Sequence, residues 1–232
     1  MTIVITGGSK GIGFSIAEKF AEEGHGIILC ARNENELRSA SEELSGHFGI
    51  EANYFVADLA LKTGSDSFNA WLKSNKYQVD ILVNNCGTFI PGSIYNEEEG
   101  SLEKMMGINL YSAYNLSRLV LPQMIERKAG HIFNICSIAS FTAYPNGGSY
   151  SISKFAMAGF SKNLREEMKP FNVKVTTVYP GAVFTRSWEG SGVDPKRIME
   201  ASDISTMILA CSKLSPQACV EELVVRPQLG DL

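Results

Sequence analysis

With 232 residues, 44% of them hydrophobic, the chain has enough apolar material for one large core or at most two small ones. A formal net charge of −4 and the lack of any basic run exclude a nucleic-acid backbone as the main partner. No apolar run approaches the roughly 18 residues of a spanning helix, and strand-forming residues begin at position 2, so we expect a cytoplasmic protein with no leader peptide and no membrane partner. The five cysteines (Cys30, Cys86, Cys136, Cys211, Cys219) include no Cys-x-x-Cys pair and fit reduced thiols. The three histidines are scattered, and no metal site is expected.

In chain order, short β-rich apolar runs at 3–6, 27–30, 53–57, 81–84, 131–136, 173–179 and 223–225 alternate with stretches of helical period near 12–23, 34–47, 65–75, 100–127, 149–169 and 202–213. This alternation predicts an α/β fold, a doubly wound parallel sheet of about seven strands with helices on both faces. The strands lack in/out alternation, as strands buried on both sides should. Asn33-Glu34-Asn35-Glu36 reads as an N-cap with a glutamate three residues on, close to a capping box. Glu34 and Glu36 then read as charges favourable to the helix dipole, as do Glu97, Glu98 and Glu99 ahead of the long helix. Pro170 should close the helix before it. We find no repeat or linker, and expect a single domain over 1–232. The segment 187–196, with Gly190, Gly192 and Pro195, reads as part of a substrate flap at about 185–198.

Two motifs carry chemistry. The first strand runs into Thr6-Gly7-Gly8-Ser9-Lys10-Gly11-Ile12-Gly13, and such a turn into a helix N-terminus lets backbone N–H groups approach a pyrophosphate. The glycine spacing is Gly-x-x-x-Gly-x-Gly rather than Gly-x-Gly-x-x-Gly, and no Gly-Lys-Ser/Thr follows, which excludes a Walker loop. The second motif is Tyr150 and Lys154, four residues apart on one helix face, with Ser137 thirteen positions before the tyrosine. An ammonium beside a phenol favours its ionised form and suits it to proton transfer. The bland alternative is an ordinary surface pair. A proton source and a dinucleotide loop in one chain point to hydride transfer onto a carbonyl.

The glycine turn, Asn84-Asn85-Cys86-Gly87, Asn109, Ser137, Tyr150-x-x-x-Lys154 and Pro180-Gly181, in this order, resemble the classical short-chain dehydrogenase/reductase family over essentially the whole chain. The resemblance implies that Tyr150 is the proton donor and that Ser137 orients the carbonyl. It also implies that Lys154 binds the nicotinamide ribose, and that Asn109 positions a relay water or, failing that, serves as an interior hydrogen-bonding residue. The implied cofactor residues are Gly7, Ser9, Lys10, Gly11, Ile12, Gly13, Arg32, Asp58, Leu59, Asn85, Cys86, Gly87, Tyr150, Lys154, Pro180, Gly181, Val183 and Thr185. Asp58 is read either as an adenine ligand or as the cap of the next helix, and Cys86 as an inert thiol or a redox sensor.

At the tip of the second strand, Ala31 stands where NAD-users of the family carry aspartate. Lys10 and Arg32 match basic positions associated with NADP, so NADP(H) is the expected cofactor unless both are plain surface charges. Phe89, Phe141, Tyr144, Phe184 and Trp188 would wall an apolar pocket for a small or medium neutral carbonyl compound, or the matching alcohol. The resemblance implies a homodimer or homotetramer. The leading expectation is an NADPH-dependent carbonyl reductase. The alternatives are a 3-oxoacyl thioester reductase, with Lys196 and Arg197 as thin support for an acyl-carrier contact, and a non-catalytic NADP-binding sensor or scaffold.

Overall fold

The computed structural model describes residues 1–188, 190 and 192–231; positions 189 and 191 of the expected flap lie outside the described residues. The elements run β1 (Thr2–Thr6), α1 (Gly11–Glu22), β2 (Gly26–Ala31), α2 (Glu34–Phe48), β3 (Ala52–Val56), α3 (Lys62–Ser74) and β4 (Ile81–Asn84). Then follow α4 (Ser101–Met106), a π-helical turn (Gly107–Tyr111), α5 (Ser112–Arg127), β5 (Gly130–Ile135), α6 (Gly148–Met168), β6 (Val173–Pro180), α7 (Ala201–Ser212) and β7 (Glu222–Val225). The seven strands form one parallel sheet in the order β3-β2-β1-β4-β5-β6-β7.

Burial on both faces explains why the strands were legible as apolar runs. Ile3 and Ile5 of β1 pack with Phe20 of α1, Leu37 of α2 and Ile204 of α7. Val4, between them, packs the other way with Phe68 of α3, Leu116 of α5 and Leu164 of α6. The chain winds outward from β1 through β2 to β3, then returns to place β4 on the other side of β1. Loops leaving β1 and β4 therefore diverge, and a crevice opens at the carboxyl ends of the two strands.

Four expectations need correction. The helix expected over 100–127 is interrupted by the π turn, whose extra residue per turn swings Asn109 inward until it is buried. Helix α3 starts at Lys62 with Leu61 as its N-cap, so Asp58 does not cap it; the Asp58 carboxylate accepts from the Ala60 amide at 3.0 Å. Asn33 caps α2 through the Glu36 amide at 3.2 Å, but Glu36 turns its carboxylate to Ser9 and Lys10, so the reciprocal half of the box does not form. Glu97 does not serve the helix that follows it. It accepts from the amide and hydroxyl of Ser149, at 3.2 and 2.5 Å, in the first turn of α6. Among the described residues no helix is long and apolar enough to cross a membrane.

His131 on β5 is buried, stacked on Phe133 at 3.9 Å, with Nε2 2.8 Å from the Thr176 hydroxyl. That hydroxyl donates to the Val220 carbonyl, so the imidazole is the donor to it, and burial, with Lys174 and Arg165 nearby, lowers its pKa to about 3. Between the ordinary value near 6.5 and about 3, the unfolded chain takes up a proton that the folded chain refuses, so stability falls as pH drops. Urea unfolding of the wild type should therefore steepen by about 1 kcal/mol per pH unit between roughly pH 6 and 4 relative to His131→Gln. Parallel curves would contradict the burial of a neutral ring.

Candidate active site

The crevice at the β1–β4 boundary is a cleft of about 970 Å³ lined by Gly7, Ser9, Lys10, Gly11, Ile12, Arg32, Asp58, Leu59, Asn85, Cys86, Gly87 and Thr185 of the expected residues. Gly7 and Gly11 have φ of 61° and 58°, the left-handed region where a side chain is strained. Gly13 lies behind the turn. A Cβ there would collide with the Gly7 carbonyl oxygen and stand 2.5 Å from the Asn85 side-chain nitrogen. Lys10, at the N-cap of α1, makes no side-chain cap, so the first-turn amides and the positive end of the dipole are left to the cleft.

Thr6 fixes the opposite wall. Its hydroxyl oxygen accepts from the amides of Asn85 and Cys86, at 2.9 and 3.0 Å, while the Asn85 side chain donates back to the carbonyls of Thr6 and Gly7. Asn84 is buried between Ser117 and Asn134, at 2.9 and 2.8 Å. The end of β4 is thus pinned against the glycine turn by polar side chains rather than by bulk. Pro180, Gly181 and Val183 stand outside the cleft lining. Pro180 ends β6 beside Val225, Gly181 packs on Pro227, and Val183 is buried in the core.

Tyr150 and Lys154 occupy successive turns at the start of α6. The lysine is almost wholly buried, its ammonium donates to the Ile135 carbonyl at 3.0 Å, and it lies 5.9 Å from the centre of the Tyr150 ring. Asn109 is reached from the π turn: its carbonyl oxygen accepts from the Thr88 amide at 2.8 Å, and its nitrogen donates to the Thr88 carbonyl and the Ser153 hydroxyl at 3.1 and 2.8 Å. Ser153 donates in turn to the Tyr150 carbonyl at 2.7 Å. A Cβ at Gly87 would sit 3.6 Å from both the Asn109 oxygen and the Lys154 ammonium, in ordinary contact, so the glycine lies beside both groups. Ser137 caps the 3₁₀ turn Ile138–Ser140. Its oxygen accepts from the Ala139 amide at 3.2 Å, which holds the side chain and leaves its proton for another acceptor.

Of the aromatic residues, Phe89 packs edge-on against Tyr150 at 4.9 Å. Tyr144 is near enough that the Tyr150 oxygen adds to burial in pushing its phenol up to about 12. Phe141 instead packs on Tyr179 at 5.3 Å, while Phe184 is exposed ahead of the 3₁₀ turn Arg186–Trp188 that Trp188 ends. Burial raises the Cys86 and Cys136 thiols, the latter to about 11, which favours the inert reading of both.

Sequence reasoning passed over Thr6 and Ser153, although both sit inside the quoted motifs. It missed Glu36 and Arg186 altogether. The Glu36 carboxylate bridges the Ser9 hydroxyl at 3.3 Å, the Lys10 ammonium at 3.2 Å and the Arg186 guanidinium at 3.5 Å, at the edge of the cleft. No local pattern announces partners that lie 26 or more positions away.

Residues 1–194 match the model of the short chain dehydrogenase family. An uncharacterized oxidoreductase of Staphylococcus epidermidis is 27% identical over 224 residues, 97% of this chain and 96% of that protein. An alcohol dehydrogenase from the archaeon Thermococcus sibiricus, complexed with 5-hydroxy-NADP, superposes with a TM-score of 0.90 at 26% identity, covering 98% of this chain and 96% of that one. The L-sorbose reductase of Gluconobacter frateurii, complexed with NADPH and L-sorbose, gives 0.89 at 28%, covering 97% and 94%. The chain belongs to the short-chain dehydrogenase/reductase family and is an oxidoreductase acting on CH–OH groups.

Gly13→Ala should lower stability by about 1–3 kcal/mol, because its methyl meets backbone and a pinned amide rather than a flexible tip. Thermal unfolding checks this, and a midpoint within a degree of wild type would show that the turn can relax.

Proposed function

We propose that this chain is an NADPH-dependent carbonyl reductase working on small or medium neutral compounds, with residues 1–232 acting as one domain and about 185–198 as its flap. The observation that carries the reading is the pair of Tyr150 and Lys154, the lysine fixed on the Ile135 carbonyl, on a helix whose start is tied through Ser153 and Asn109 to Thr88 of the cleft wall. The residues present fit a dinucleotide: the uncapped start of α1, two glycines with positive φ and the 970 Å³ cleft form a cradle for a pyrophosphate. Gly7 to Ile12, Asn85 to Gly87, Asp58, Leu59 and Thr185 would hold it, with Lys154 toward the ribose; Pro180, Gly181 and Val183, outside the cleft lining, would back this wall. When bound, the nicotinamide group supplies hydride.

The chain's own residues supply the rest. Reduction places negative charge on the carbonyl oxygen, and Ser137 and Tyr150 donate hydrogen bonds to it there. Tyr150 gives up its proton and Lys154 stabilises the phenolate that remains. Asn109, its oxygen held by the Thr88 amide, keeps the π turn and the segment after β4 in register with α6. Phe89, Tyr144 and Phe141 offer apolar faces without fixed charge, which suits a neutral substrate.

Lys10 and Arg32 support NADPH over NADH. Arg32 lines the cleft and forms no ion pair among the described residues. The thioester alternative loses part of its support, because Arg197 donates to the carbonyls of Leu229, Gly230 and Asp231 instead of facing an acidic partner. A homo-oligomer joined through α5 and α6 is supported by the exposed Tyr114, Ile152 and Phe155 on these helices. We place the enzyme in the cytoplasm.

Tyr150→Phe should reduce NADPH-linked turnover of a carbonyl panel at least about 100-fold while NADPH still binds. Loss of NADPH absorbance measures the first and cofactor fluorescence the second. Unchanged turnover would remove Tyr150 from the proton-donor role.

A further inference from the structure

Among the described residues, the Glu36 carboxylate is shared by Ser9, Lys10 and Arg186. It lies on the first turn of α2, half-buried, with Lys10 on the glycine turn and Arg186 at the start of the flap. All four side chains line the dinucleotide cleft on the side where Arg32 ends β2. A hydroxyl, an ammonium and a guanidinium converging on one anion form the donor set that a phosphate monoester would use. We infer that the Glu36 carboxylate stands in for the 2′-phosphate of NADP in the free enzyme and restrains the affinity for that cofactor, making Glu36 a specificity-determining residue.

The charge balance supports this. If Lys10 and Arg32 met the phosphate unopposed, two cations would face a dianion. With Glu36 in place, Lys10 already has a partner, and an arriving phosphate must take that partner's position while facing a carboxylate of its own sign. The Lys10 and Ser9 contacts hold the Glu36 carboxyl below the usual carboxylate range, so it is ionised at neutral pH and the opposition is present under working conditions. Arg186 ties the same carboxylate to the start of the proposed flap, so displacing Glu36 frees Arg186 from this side of the cleft. Glu36 thus tempers the preference that the two cations create, and couples phosphate recognition to the segment that covers the substrate.

The inference rests on the NADPH reading, and the two can fail separately. Dissociation constants for NADPH and NADH, measured by fluorescence at low and high salt, are compared in wild type, Glu36→Gln and Lys10→Ala/Glu36→Gln. Circular dichroism confirms that each variant is folded. Glu36→Gln should lower the NADPH constant at least about threefold, with the gain shrinking at high salt and largely lost when Lys10 is also replaced. An unchanged NADPH constant overturns the inference, and so does a rise in the NADH constant alone, which would make Glu36 a ribose ligand instead. A wild type that binds NADH more tightly overturns the NADPH reading, whatever Glu36→Gln does.

Discussion

The site depends on how α6 is held against the ends of β4 and β5. A phenol and an ammonium four residues apart on a helix meet each other in any protein; what sets this pair apart is that the helix carrying it is held in one position. Two bonds do this here. Lys154 donates to the Ile135 carbonyl at the end of β5, and Asn109 joins the Thr88 backbone, just past β4, to Ser153 on α6. The second bond requires the π turn, because a regular helix would direct residue 109 along a different face. The local irregularity and the placement of the start of α6, which carries Tyr150, are therefore one fact. Glu97 adds a third tether from the same loop to the first turn of α6.

The cofactor end is built on the opposite principle. Around Asn109 and Asn84 the side chains are buried and joined by several hydrogen bonds, which holds the arrangement in place. Around Glu36 the charges are half-exposed and joined by single bonds, which makes them exchangeable. Chemistry needs fixed geometry at the proton donor, whereas the far end of a dinucleotide must be admitted and released. On the proposed reading, the rigid polar contacts serve the first task and the solvent-screened ones the second.

Most of this could be read before the structure. Every strand was placed to within one residue at each end, because strands covered on both faces appear as unbroken apolar runs. The glycine turn and the Tyr150–Lys154 pair were legible because their chemistry depends on spacing along the chain. The π turn was not: one extra residue in a helical hydrogen-bond pattern barely disturbs the apolar period. Glu36 and Glu97 looked like ordinary helix-start charges. Their partners, Lys10 and Ser149, lie 26 and 52 positions away. Partner choice among surface charges is decided by topology, and the sequence around each residue carries no trace of it.

The central claim is that one cleft brings a hydride donor and a proton donor to the same carbonyl. Reduction of a neutral ketone with NADPH deuterated at both C4 positions, followed by mass spectrometry of the alcohol, tests it most directly. The account predicts one deuterium on the carbinol carbon and a product hydroxyl that equilibrates with solvent. An alcohol without deuterium, or no alcohol from any member of a broad carbonyl panel, would contradict it.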